Sequence, residues 1–181
     1  VRNFQRIGEI DPLPVLLELQ RQPELWGESR ARQEYDQSPH VAIDDIWVRW
    51  NVADVLDDGT TGSDDIRFLP AWSMLPSLRP IVFPLMARVQ AVQLGAILLT
   101  RIPPGRRVDP HIDEGWHAKR YNTKVYVALQ TNPDCMNACE NETLVMKPGD
   151  CWLFRNTVIH SIVNAGPDDR ISLICCMRCE S

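Results

Sequence analysis

The stretch VDPHIDEGWHAKRYN, residues 108–122, crowds histidines, carboxylates, cations and a tryptophan into a short length of chain. His111 and Asp113 stand two apart, and in an extended strand residues two apart project from the same face. Both therefore look inward if RVDPHID is a strand. Two ligands from one strand need a third from elsewhere, and His160 stands at the head of the β-rich run HSIVNA. Two imidazoles and one carboxylate on one side of a metal leave the other side open. That is the ligand set of non-haem Fe(II) oxygenases, whose open positions take a chelating co-substrate and O2. For an H-x-D taken alone, a polar turn between strands is the competing account.

A register argument extends the set. If AGPDD, residues 165–169, closes a hairpin with Asn164 opposite Arg170, then His160 pairs with Ile174. His160, Ile162, Asn164, Arg170, Ser172 and Ile174 then share the inner face. Arg170 lies about four residues from the ligand's level, on the order of 13 Å at about 3.3 Å per residue. A chelated five-carbon dicarboxylate plus an extended arginine spans such a gap, and a guanidinium grips a carboxylate bidentately. The co-substrate this geometry asks for is 2-oxoglutarate. Taken alone, an arginine just after an Asp-rich turn reads as a surface residue.

The H-x-D, the run P-G-D-x-W-x-F-x-N-x-x-x-H ending at His160, and Arg170 ten residues further on resemble the aspartyl/asparaginyl β-hydroxylase family of Fe(II)- and 2-oxoglutarate-dependent dioxygenases. The resemblance covers roughly residues 95–178, through RIPPGRRVDPHID, KRYNTKVYVALQTNP and MKPGDCWLFRNTVIHSIVNAGPDDRISLI. It implies a double-stranded β-helix, metal on His111 and His160, and the distal oxoglutarate carboxylate on Arg170. By position it also implies cofactor contacts from Arg120, Asn122 and Thr100. The last two differ in type from the His and Ser of the best-known animal members. Those members have glycine where this chain has Asp113, so the site here resembles the fuller triad of most oxoglutarate hydroxylases, with His111, Asp113 and His160 all catalytic ligands. The implied reaction consumes oxoglutarate and O2, releases succinate and CO2 and hydroxylates a substrate, with protein groups supplying placement and electronics.

Neighbouring residues carry two readings each. Arg120 in HAKRYN is a cofactor ligand or a solvated charge. Trp116 and His117 line a substrate mouth or cover the barrel end, with His117 not expected as a fourth ligand. Arg106 and Arg107 attract an acidic substrate or sit exposed at a hairpin tip. Trp152, Phe154, Cys151 and Leu153 read as sheet packing, and Trp47 and Trp50 as core. Cys135 with Cys139, and Cys176 with Cys179, could in principle supply four thiolates to a structural zinc, against the reading of buried or free thiols.

These residues need a scaffold. The chain has 181 residues, 44% hydrophobic and 24% charged, suiting one globular domain with a proper core. DPLPVLLELQRQ reads as a helix, PELWGESRARQEYDQ as a weaker one, IDDIWVRWN as a strand, and LPAWSMLPSLRPIVFPLMARVQA as a helix interrupted or bounded by Pro76, Pro80 and Pro84. From about residue 92 the texture changes to short β-rich runs, AVQLGAILLTRI, TKVYVALQT, ETLVMK, CWLFRN, HSIVNA and RISLICCM, separated by turn signals. The expectation is a mainly β, jelly-roll, cupin-like barrel over residues 92–181 under a helical and strand N-terminal layer, residues 1–91, within a single domain, 1–181.

The net charge of −5 argues against a nucleic-acid partner. No window approaches a membrane span or a signal peptide, and the six cysteines suit reduced thiols in a cytoplasmic setting. The leading functional reading is a hydroxylase of an amino-acid side chain, in a protein or peptide or as a free amino acid. A zinc hydrolase or isomerase of cupin type, or a non-catalytic metal-binding barrel, are the alternatives. Substrate choice is expected in loops around 61–66, 103–107, 114–122 and 132–141.

Overall fold

The computed structural model describes residues 2–51 and 66–180. Pro12 and Pro14 open α1 (Leu13–Arg21), where proline's fixed φ suits a first helical turn. Its buried Val15 and Leu19 are four apart and so share one face. The next segment, read as a weak helix, forms only a 3-10 turn at Pro23–Leu25. Gly27 then sits at φ +76°, a left-handed conformation in which a helix cannot continue. After α2 (Ala71–Met74), Pro76 starts a 3-10 turn, Pro80 lies in the first turn of α3 (Arg79–Arg88), and α3 runs on through Pro84.

Eleven described strands pair antiparallel in two sheets. They are β1 (Phe4–Glu9), β2 (Asp44–Asn51), β3 (Ile66–Phe68), β4 (Ala91–Ile102), β5 (Arg107–His111), β6 (Thr123–Gln130), β7 (Cys135–Cys139), β8 (Glu142–Leu144), β9 (Asp150–Phe154), β10 (His160–Asn164) and β11 (Arg170–Cys179). The major sheet runs β1-β9-β6-β11-β4-β2-β3 and the minor sheet β5-β10-β7-β8. The fold is mainly β, a double-stranded β-helix. The N-terminal part differs from a separate layer, because β1, β2 and β3 join the major sheet through β9 and β4.

Strand alternation sorts the side chains into two cores. One face of the major sheet packs Val127, Leu173 and Met177 against Val15, Leu78 and Val82 of the helical layer. The other face turns Leu98, Tyr126 and Ile174 toward Val108 and Ile162 of the minor sheet. The candidate site residues His111, His160, Arg170 and Thr100 lie on this second side.

The hairpin expected between Asn164 and Arg170 is not formed. β10 pairs with β5 and β7, whereas β11 pairs with β4 and β6. The AGPDD segment carries the chain from one sheet to the other, so His160 and Ile174 face one another across the barrel rather than along a ladder. Alternation decides which face a strand buries but leaves its neighbour open. A polar clasp holds the crossing: Asn164 Nδ2 donates to the carbonyls of Ile102 and Asp168 at 2.9 and 2.8 Å, and Asn132 Nδ2 donates to Asn164 Oδ1 at 3.0 Å. A Cβ on Gly166 would meet Asn132 Oδ1 at 2.1 Å, so the clasp closes only over glycine.

Among the described residues no helix is long and apolar enough to cross a membrane.

Candidate active site

His160 and His111 are direct partners on the β10–β5 ladder, which brings their rings to 4.2 Å between centroids. Each Nδ1 donates to a backbone carbonyl two residues earlier, His111 to Asp109 at 2.8 Å and His160 to Val158 at 2.9 Å. A carbonyl can only accept, so each ring carries its proton on Nδ1 and turns the Nε2 lone pair inward. The chain past β5 brings Asp113 to them: its Oδ1 lies 3.4 Å from His111 Nε2 and 3.9 Å from His160 Nε2. One ligand atom from each of the three falls within 4.8 Å of the others. Two donors about 2.1 Å from one ion and at right angles stand about 3 Å apart, so the three cluster around a common point at a spacing that must contract to close on one ion.

The carboxylate is held by its other oxygen. Lys124 Nζ and Asn156 Nδ2 both donate to Asp113 Oδ2, the latter at 2.9 Å. Burial alone would raise the Asp113 pKa, but Lys124, the His111 contact and Asn156 overcome it and hold the acid well below the ordinary carboxylate range. Burial, with the nearby Lys124 charge, lowers His160 to about 4. The site thus offers an anionic carboxylate and a neutral imidazole, the protonation states metal ligation needs. His160 Nε2 is buried without a hydrogen-bond partner. This donor set fits a divalent ion.

Arg170, 1% exposed, lines the same cavity as His111 and His160. Its Nη2 donates to Asn137 Oδ1 at 3.0 Å, while Nε and Nη1 are buried without partners. Burial pulls the guanidinium below its usual pKa. Two unpaired N–H groups on a buried cation fit a bidentate carboxylate. The cavity holds only about 10 Å³ of free space, room for about one water, so a five-carbon diacid must move its walls. Thr100 also lines it, with its hydroxyl donating to Asp45 Oδ1 at 2.9 Å.

Arg120 and Asn122, expected as cofactor contacts, lie apart from this cavity. Arg120 ends α4 (Gly115–Arg120) and lines a surface depression with Lys119, Asn122 and Arg178. Asn122 pins the end of β11, donating to the Cys179 carbonyl and accepting from its N–H, both at 3.0 Å. The α4 turn carries both away from the barrel interior, and Lys124, two residues further on, returns to it.

A wider cavity of about 420 Å³ opens beside the triad, a size typical of small-ligand sites. Trp47 and Trp50, read as core, line it; Trp116 stacks on Trp50 with centroids 6.2 Å apart. His117 lines it too, but its Nε2 accepts the Ala96 N–H at 3.2 Å and is no metal ligand. A Cβ on Gly95 would meet the Tyr121 ring at 2.6 Å, so glycine lets that ring close against β4. Arg107 pairs with Asp109 at the exposed rim. All six cysteines are free, and the only ligand cluster among the described residues is the triad, so the paired thiolates make no zinc site.

Reading the sequence missed Lys124, Asn156, Arg32 and His40. Asn156 lies inside the quoted P-G-D motif, Lys124 shares its strand face with Tyr126, and His40 is one of only four histidines. Arg32 and His40 come from the irregular segment before β2 and line both cavities. Burial, with Arg32 and His111 nearby, keeps His40 far below the usual imidazole range, hence neutral.

The profile of the aspartyl/asparaginyl beta-hydroxylase family matches residues 18–178. The chain belongs to this family. As a β-hydroxylase family member it is a dioxygenase, and its barrel is shared with solved oxygenases. A prolyl hydroxylase from Trichoplax adhaerens, in complex with a hypoxia inducible factor peptide fragment, matches with a TM-score of 0.62 at 15% identity, over 97% of this chain and 83% of that one. The viral collagen prolyl hydroxylase of Paramecium Bursaria Chlorella virus-1, as its 2OG complex, matches at 0.58 and 10% identity over 99% and 97%. A Pseudomonas putida prolyl-4-hydroxylase matches at 0.57 and 13% over 100% and 95%. At such identities the likeness is one of fold. No curated protein matches.

Proposed function

We propose that this β-hydroxylase family member is an Fe(II)- and 2-oxoglutarate-dependent hydroxylase of an amino-acid side chain, in a peptide of the Asp/Asn type or as a free amino acid, with succinate and CO2 as co-products. One observation carries the reading: a two-histidine, one-carboxylate triad shares a cavity with a buried guanidinium that has two unpartnered nitrogens. The alternative reading, a zinc hydrolase or isomerase, assigns that arginine no task.

His111, Asp113 and His160 would hold the iron on one face, and Arg170 would take the distal carboxylate of oxoglutarate. Bound Fe(II) supplies the oxidative chemistry with O2. The chain's own groups prepare the site. The Asp109 and Val158 carbonyls fix both imidazole tautomers. Lys124 and Asn156 aim one oxygen of Asp113 at the ion. Trp47 and Trp50 wall the larger cavity, limiting water around a substrate seated there. The peptide carried by the Trichoplax enzyme supports a peptide as one substrate form.

Incubation with Fe(II), oxoglutarate and air, against a panel of peptides and free amino acids, should release succinate and add about 16 Da to the true substrate, one oxygen atom. Failure to bind oxoglutarate in calorimetry, with metal binding intact, would transfer the site to zinc hydrolase or isomerase chemistry.

A further inference from the structure

Oxoglutarate has two carboxylates, and Arg170 accounts for one. The other, beside the keto group, needs a donor on the metal side of the cavity. The resemblance gives cofactor contacts to Arg120 and Asn122, but both line a different depression. The cavity's own polar lining narrows the choice. Arg32 is committed to Asp45 by two hydrogen bonds of 2.9 and 2.8 Å and to Thr100 by one of 3.2 Å. Lys124 is committed to Asp113, and Thr100 to Asp45. Tyr126 acts electrostatically on both Arg170 and Lys124, and its hydroxyl is not among the buried atoms that lack a partner. Buried nitrogens without partners remain on His160, Arg170 and His40 alone among the cavity's lining residues. The first is a ligand and the second holds the distal end.

His40 is 8% exposed, and its ring meets that of His111 edge-on with centroids 4.8 Å apart. Its backbone is anchored to the metal strand, since the Asp109 N–H donates to the Pro39 carbonyl at 3.0 Å, and the Asp109 carbonyl in turn orients His111. Ser38 Oγ accepts the His40 N–H at 3.1 Å and fixes the turn. The imidazole is therefore placed by the same hydrogen-bonded chain that places a ligand, yet lies outside the triad.

We propose that His40 binds the metal-proximal carboxylate of oxoglutarate through an imidazole N–H, making the segment before β2 part of the co-substrate site. This rests on the oxoglutarate reading above. An imidazole has an N–H to give in either protonation state, and a hydrogen bond to a charged acceptor is worth more than one between neutral groups.

The test is anaerobic calorimetry with Mn(II) in place of iron, comparing wild type, His40→Phe, His40→Asn and Arg170→Met. Each is titrated with Mn(II), then with oxoglutarate and with 2-oxopentanoate, a keto acid without the distal carboxylate. His40→Phe should keep the Mn(II) affinity and weaken oxoglutarate about ten- to hundred-fold, the usual range for a lost bond to a charged group. His40→Asn, which retains an N–H donor, should recover part of that loss. With 2-oxopentanoate the His40→Phe penalty should persist while the Arg170→Met penalty disappears. Unchanged oxoglutarate affinity in both His40 variants overturns the proposal, as does an equal loss of Mn(II) affinity or a penalty that vanishes with 2-oxopentanoate. In those cases wild-type oxoglutarate binding stands and so does the parent reading; wild type that binds metal but no oxoglutarate removes both.

Discussion

The two faces of the major sheet are cut from the same strands and carry different loads. Toward the helices, alternate residues of β4, β6 and β11 are apolar, as with Leu99, Val127 and Leu173, each 0% exposed. Toward the minor sheet the intervening residues include Thr100, Lys124, Arg170 and Ser172, also buried. On this face Arg170 Nε and Nη1 and Ser172 Oγ lack partners, and each such group costs about 1–3 kcal/mol. The helix-backed face stabilises the sheet enough for the other to keep polar groups unpaired until a ligand meets them. One strand thus packs the core on odd positions and lines the candidate site on even ones.

That division can be broken or sharpened by substitution on either side. His160→Ala should abolish metal-dependent turnover, a larger loss than the about 10–100-fold typical when only a ligand's support is altered. A Mn(II) titration beside a succinate assay checks it, and retained affinity would move the site elsewhere. Leu173→Ala, on the helix face, should cost about 2–5 kcal/mol in urea unfolding while the folded fraction binds metal normally. Asp113→Gly should weaken iron binding and leave some activity. It also strands the Lys124 ammonium in the interior, with a stability loss of about 3 kcal/mol. Adding Lys124→Met should restore most of that stability and none of the metal affinity; failure to do so would mean the pair does more than neutralise itself. Arg170→Met should have the smallest effect on folding, within about 1 kcal/mol, because it exchanges an underpaired buried charge for an apolar chain. Its thermal midpoint would stay near that of wild type while the shift produced by oxoglutarate is lost.

The candidate triad and Arg170 were legible because His160 and Arg170 head β-rich runs and the H-x-D is a local motif, although β5 ends at His111 and Asp113 follows it outside the strand; none of this needs the right strand neighbours. The neighbours themselves did not show. Asn164 and Arg170 flank a turn like any hairpin's, and the clasp that sends them into different sheets relies on Asn132, distant in sequence. β1 was missed because a register shift between Arg6 and Gly8 breaks its alternation, leaving Phe4 and Ile7 buried three apart. β7, CMNAC, is short and rich in residues with weak strand preference. His40 was invisible for a further reason: it sits in an irregular segment whose path depends on contacts with β5, among them Pro39 to Asp109. The loops expected to choose substrate fared unevenly. Residues 61–65 lie outside the described residues, and part of 114–122 is helix α4.

The β5–β10 ladder has one more consequence. His111 and His160 sit opposite each other only when the two strands meet in a single registry, and a slip of one residue would send one imidazole to the outer surface. Ion capture by the candidate triad would therefore report correct assembly of the minor sheet. A nascent or misaligned barrel cannot chelate, and adding metal during refolding should draw the population toward chains that have zipped correctly.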